Sequence, residues 1–141
     1  MPLGAFIAGR KLMCALTENP VLGHITTFGG HPVSCAAGMA AMKALLEERM
    51  MDQVKQKAEL FLSLLVHPKI RSVRSFGLWL ALEFDSFETN KRIIDRCIDQ
   101  GILTDWFLFA PNCMRISPPL VITSDQIEKA CKVIIQACES N

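Results

Sequence analysis

Residues 78–85 alternate: Leu78, Leu80, Leu82 and Phe84 interleave with Trp79, Ala81, Glu83 and Asp85. A period of two puts one set on each side of a pleated backbone, so this run is a strand with one buried face. Residues 70–76 are also strand-like, and Gly77 between the two runs marks a bulge or tight bend. Helical spacing returns at 88–100, where Ile93, Ile94, Cys97 and Ile98 share a face that Gly101 closes. Short strands are predicted at 102–103, 106–109 and 113–117, with Pro118-Pro119 as a stop. Thr123, with Gln126 three residues on, has a capping-box pattern. It opens a last helix whose apolar face is Ile127, Ala130, Cys131, Ile134, Ile135 and Cys138. The order strand, strand, helix, strand, strand, helix predicts an α+β class, an antiparallel sheet with helices on one face.

Upstream the pattern differs. Residues 2–9 form an apolar run between glycines, which predicts a short strand of the kind found in parallel sheets covered on both faces. The chain offers no second strand of that type to pair with it. Residues 17–32 are loop-like, and Pro32 suits the first turn of a helix. Ala36, Ala37, Ala40, Ala41, Ala44 and Leu45 then make a small-residue stripe that lets a neighbour approach closely. Met51, Val54, Ala58, Phe61, Leu62 and Leu65 form a second helical pattern. One helix spanning both would be far longer than is usual, so a break is predicted near Arg49, and Pro68 ends the stretch.

With 141 residues, half of them hydrophobic, the chain has enough apolar surface for a real core. Fifteen basic against fourteen acidic side chains leave a formal charge of +1, which argues against a nucleic-acid or anionic-membrane surface as the main partner. No apolar run approaches the roughly 20 residues of a membrane span, and no signal peptide is visible. The six cysteines include no C-x-x-C pair, and four of them have apolar neighbours. They read as buried reduced thiols rather than a disulfide or metal framework, which favours the cytoplasm.

Candidate chemistry concentrates at two places. At 23–32, two threonine hydroxyls, two adjacent glycines and a helix start come together; such a start binds anions, phosphate above all. A plain N-cap with a flexible loop accounts for the same residues, and no P-loop or G-x-G-x-x-G motif is present. Arg115, at a strand end before a rigid diproline, has the chemistry to grip a carboxylate with two parallel hydrogen bonds. A surface arginine at a strand edge is the plainer alternative. His24 and His31 lack a third ligand, so no metal site is expected. Glu83 and Asp85 read as a solvated face, His67 as a helix-end residue and Lys11 as solvent-facing. No serine elbow and no nucleophilic lysine stand out, so no catalytic residue is assigned.

Four stretches, in order, resemble the class III pyridoxal-phosphate-dependent aminotransferases, a family that includes ornithine, acetylornithine and 4-aminobutyrate transaminases. Thr27-Phe28-Gly29-Gly30-His31-Pro32-Val33-Ser34-Cys35-Ala36-Ala37 is similar to the family's T-[FY]-G-G-[NH]-P-x-x-[CA]-A-A segment. Met1-Pro2-Leu3-Gly4-Ala5-Phe6 resembles the strand after its G-G-G stretch. Residues 73–83 resemble its V-R-x-x-G-L-x-x-x-x-E hairpin, and Arg115-Ile116-Ser117-Pro118-Pro119-Leu120 its R-x-x-P-P-L strand. His31, where many members have Asn, is a mild departure.

The resemblance implies a fold-type I architecture: residues 1–34 a remnant of the large α/β cofactor-binding domain, 35–66 connecting helices, and 67–141 the small C-terminal α+β domain. It implies that Thr27, with Thr26 flanking, donates to the phosphate of pyridoxal 5'-phosphate held by the neighbouring subunit of a homodimer. Arg115 is implied as the grip on a substrate carboxylate. The parent would move an amino group between an amino acid or amine and a 2-oxo acid. The family's Schiff-base lysine lies before the G-G-G stretch, hence upstream of Met1, so this chain alone is expected to be inactive. Two alternatives stand beside this reading: a stand-alone α+β binding or regulatory domain, and a fragment of an aminomutase or decarboxylase of the same family.

Overall fold

The computed structural model describes residues 2–17, 19, 21, 23 and 25–139. Its contacts divide the chain into two compact units, residues 1–49 and 50–141.

The first unit holds a short helix α1 (Arg10–Cys14) and the longer α2 (Pro32–Glu47). Residues 2–9 carry no strand. A strand's N–H and C=O groups need a neighbour to bond, and the predicted apolar run finds none among the described residues. Leu3 instead lies against Gly38 of α2, where a β-carbon would collide with it. None of the described residues before Met50 is buried, and of the predicted small-residue stripe of α2 Ala36, Ala40 and Ala41 are exposed and the rest half-buried.

The predicted break sits where expected. α2 ends at Glu47, Arg49 takes a left-handed φ of 51°, and a single 3₁₀ turn (Met50–Gln53) leads into α3 (Val54–Leu64). Ala58, Phe61 and Leu65 of the predicted face are buried, whereas Met51 and Leu62 are exposed.

The second unit is an α+β layer. β1 (Ser72–Phe76) and β2 (Trp79–Glu83) form a hairpin, with Gly77 at the first of two turn positions and φ of 61°. α4 (Phe87–Asp99), β3 (Asp105–Phe107), β4 (Ala110–Ile116) and α5 (Ser124–Glu139) complete it. All pairings are antiparallel, in the order β1-β2-β4-β3.

Local chemistry explains the boundaries. Ser86 caps α4 by accepting from the Thr89 N–H at 3.1 Å. Thr123 and Gln126 make the predicted reciprocal cap of α5, at 3.0 and 3.3 Å. No strand forms at 102–103, where the Ile102 N–H is spent on finishing α4. Gly101, at φ 82°, donates to the Ile98 carbonyl and Ile102 to that of Cys97.

The predicted alternation is reproduced. Leu78, Leu80, Leu82 and Phe84 are buried, and with Met114 and Ile116 they join one cluster with Ile93, Ile94, Ile127 and Ile134 of the helices. Ile98, predicted on the buried face of α4, is exposed instead. The opposite face of the sheet carries Arg74, Trp79, Ala81, Glu83 and Arg115, and none of them is buried. The cysteines split by unit: Cys14 and Cys35 are exposed, Cys97, Cys113, Cys131 and Cys138 are buried, and all six are free. No helix among the described residues is long and apolar enough to cross a membrane.

Candidate functional site

Two sets of residues carry candidate chemistry, and each lies within its own unit: Thr26 and Thr27 in the first, Arg115 in the second. His24 lies outside the described residues.

Thr26 and Thr27 are exposed on a turn that runs directly into α2. The Gly29 N–H donates to the Thr26 carbonyl and the His31 N–H to that of Phe28, both at 3.2 Å. Gly30 has φ of 72°, and a β-carbon on Gly29 would fall 2.5 Å from Thr26 Oγ1. The sequence T-T-F-G-G thus sets glycine both where a β-carbon would press on the Thr26 hydroxyl and where the backbone turns left-handed. His31, the N-cap of α2, makes no side-chain cap bond. Residues 25–34 include no acidic side chain. Hydroxyls, backbone N–H groups and the positive end of a helix dipole make a donor-rich set that suits a phosphate.

Arg115 sits near the end of β4, on the sheet face away from the helices. Asp105 is its cross-strand partner, and Arg115 Nη2 lies 3.4 Å from Asp105 Oδ2. The two side chains are 43% and 51% exposed, so this ion pair is worth little on its own. Thr104 Oγ1 donates to the Arg115 carbonyl at 2.6 Å and ties the lead into β3 against β4. Arg115 and Asp105 both line a cavity of about 620 Å³, with Phe61, Ile102, Ile122 and Lys129 among its other walls. That volume falls in the range of small-molecule sites, roughly 300–1,000 Å³. Pro118 and Pro119 also line it, and Lys57 Nζ donates to the next carbonyl, Leu120, at 2.7 Å.

The sequence does not announce these supports. Asp105, Thr104 and Lys57 act through partners distant along the chain, and only the antiparallel register reveals them. Glu83 is likewise not simply solvated. It accepts from Ser72 Oγ at 2.8 Å and pairs with Arg74 Nη1 at 3.3 Å. Asp85 is solvent-facing, and a hydrogen bond from the Thr89 side chain holds its carboxyl below the usual range. His67 lies beyond the end of α3, where its Nδ1 accepts from the Lys69 N–H at 3.1 Å.

The profile of the family described as Aminotransferase class-III matches residues 1–138. The chain belongs to the class III aminotransferases. Solved structures of aminotransferases share its fold. An aminotransferase from Bacillus anthracis superposes with a TM-score of 0.79 at 23% identity, covering 92% of this chain and 34% of that one. An ornithine aminotransferase from Toxoplasma gondii gives 0.75 at 29% identity over 90% of this chain and 30% of its own. An acetylornithine aminotransferase from Elizabethkingia anophelis gives 0.71 at 30% identity, with 82% and 32% covered. This aminotransferase chain thus spans about a third of the length of these relatives.

Proposed function

We propose that this chain supplies the phosphate-facing turn and the carboxylate grip of a pyridoxal-phosphate-dependent transaminase that moves an amino group between an amino acid or amine and a 2-oxo acid. The observation that carries the proposal is the family match over residues 1–138, with a part-exposed Arg115 lining a cavity. The Toxoplasma relative is described with partial occupancy of this cofactor at its active site. In this reading residues 1–34 belong to the large cofactor-binding domain, 35–66 connect, and 67–141 form the small domain. The enzyme is a homodimer, and its free thiols suit a reducing cytoplasm.

The cofactor, when bound, supplies an electron sink for carbanion chemistry at the substrate carbon. The chain's own residues do three things. Thr27, with Thr26 beside it, donates its hydroxyl to the phosphate. The uncapped start of α2 adds partial positive charge to the same anion. Arg115 binds the substrate carboxylate through its planar fork of N–H donors and so fixes which way the reacting carbon points. The chain alone is not catalytic, since no lysine in it is assigned to hold the cofactor.

The test is direct. In the parent enzyme Thr27→Ala should weaken cofactor retention by about 1–3 kcal/mol, the effect of removing a donor to a charged group. Arg115→Ala should raise KM for the carboxylate substrate. Unchanged cofactor affinity removes the role of Thr27, and a loss of stability without a change in KM removes that of Arg115. For the isolated chain, a borohydride-trapped cofactor adduct on one specific lysine would contradict its assignment as non-catalytic.

A further inference from the structure

Resting on the reading of Arg115 as a carboxylate grip, we propose that Asp105 is its built-in counter-anion. Asp105 holds the guanidinium in place and lowers the affinity with which a substrate carboxylate binds.

The geometry is that of an anchored, imperfect pair. Asp105 Oδ1 accepts from the Trp106 backbone N–H at 2.8 Å, which fixes the carboxylate on its own strand. Oδ2 faces Arg115 Nη2 at 3.4 Å. A strong charge-assisted contact of this type is about 2.7–2.9 Å and often two-pronged. Asp105 makes a single, long one, and its other oxygen is turned to the Trp106 N–H. The regular register of β3 with β4 ends just past it, at a shift between Trp106 and Phe107. Thr104 meanwhile bonds the Arg115 carbonyl, so residues 104 and 105 frame the arginine at both its backbone and its tip.

An arriving carboxylate meets this pair at a part-exposed site. It takes N–H donors that Asp105 uses poorly, and it is repelled by the Asp105 charge. Asp105 therefore acts in two ways. It keeps the guanidinium pointed across the sheet when no ligand is bound, and it makes binding looser and release faster. Exposed ion pairs of this kind alter affinity by small factors, so the expected effect is about two- to fivefold.

The experiment uses the full 141-residue chain and propionate as the monocarboxylate probe, followed in nitrogen-15 spectra on the Arg115 Nε–H signal and on the backbone N–H signals of Trp106 and Ile116, which every variant keeps. Asp105→Asn keeps an acceptor for the Trp106 N–H and removes the charge together with the oxygen that accepts from Arg115. It should move the Arg115 signal before any ligand is added and tighten propionate binding about two- to fivefold. Glu59→Gln, the same charge change on α3, should do neither. Arg115→Gln should abolish the saturable response. If propionate binds Arg115→Gln as it binds the parent chain, the carboxylate-grip reading itself is lost. If Arg115→Gln loses the probe but Asp105→Asn binds it no tighter, or Glu59→Gln tightens it equally, the role of Asp105 alone is lost.

Discussion

Two glycines in the second unit have left-handed backbones but different surroundings, and the difference sets what a methyl group would do at each. Gly77 has φ of 61°, and a β-carbon there would lie 2.9 Å from Val54 Cγ1. Gly101 has φ of 82°, with nothing within 4 Å of the same position. An L-residue in this region carries about 1–2 kcal/mol of steric penalty. Gly101→Ala should incur that alone. Gly77→Ala should incur it and also displace Val54, so its urea midpoint should fall further; equal losses would show that the Val54 contact is unimportant. The sequence marks both positions, one between two strand-like runs and one after a helical face. It does not mark Val54 as the neighbour, because that contact joins residues 23 apart in the numbering. Asn90 shows the same blindness. It is fully buried on α4 and donates to the Pro111 carbonyl at 2.8 Å, while its Oδ1 has no partner among the described residues. A polar residue in an amphipathic helix reads as solvent-facing until the fold puts a carbonyl beside it.

The secondary elements were legible where a pattern is local and obscure where it depends on a partner. The alternation at 78–85 and the capping pair Thr123–Gln126 each act within a few residues, and both appear as read. The apolar run at 2–9 failed as a strand because a strand is a property of at least two segments. The run at 102–103 failed because α4 uses the Ile102 N–H. α4 and α5 also decide the thiols. Burial pushes Cys97 up to about 12, with Cys138 nearby adding to it; burial alone takes Cys131 to about 12, and chiefly burial takes Cys138 to about 11. At pH 8 a disulfide reagent should therefore titrate two thiols in the native chain, Cys14 and Cys35, and six in denaturant. A native count of four or more would mean that the helices open readily. In the unfolded chain these protons leave near the ordinary 9.0, whereas the folded chain keeps them up to about 11–12. Between those limits the unfolded state binds fewer protons, so stability is complete below about pH 9 and declines as pH rises. Cys131→Ala should flatten that decline between pH 9 and 11, read from urea midpoints.

At the scale of the molecule, apolar burial is distributed unequally. Every member of the hydrophobic cluster lies between Phe61 and Cys138, and its partly buried neighbours begin at Val54. Among the described residues of 1–49 none is buried. Phe6 and Ile7 are 72% and 96% exposed, and the small-residue face of α2 offers little area to bury. Ordering a backbone costs roughly 1–2 kcal/mol per residue, and burial is the main term that offsets it. The first unit has little of that term, and the second has nearly all of it. The candidate site divides the same way, because the Thr27 turn rests on local hydrogen bonds while Arg115 rides on a packed sheet. Residues 50–141 expressed alone should thus fold, with a melting temperature within about 4 °C of the full chain, a difference worth less than about 1 kcal/mol for a domain of this size. Limited proteolysis of the full chain should cut first within 2–49 and leave a stable product starting near Met50. A much lower melting temperature for the shorter chain, or first cuts inside 72–116, would show that the first unit contributes stability the burial pattern does not reveal. The Arg115 Nε–H signal provides a second check on the same material. Its frame of Thr104 and Asp105 lies wholly within 50–141, so its position in the spectrum should survive the deletion.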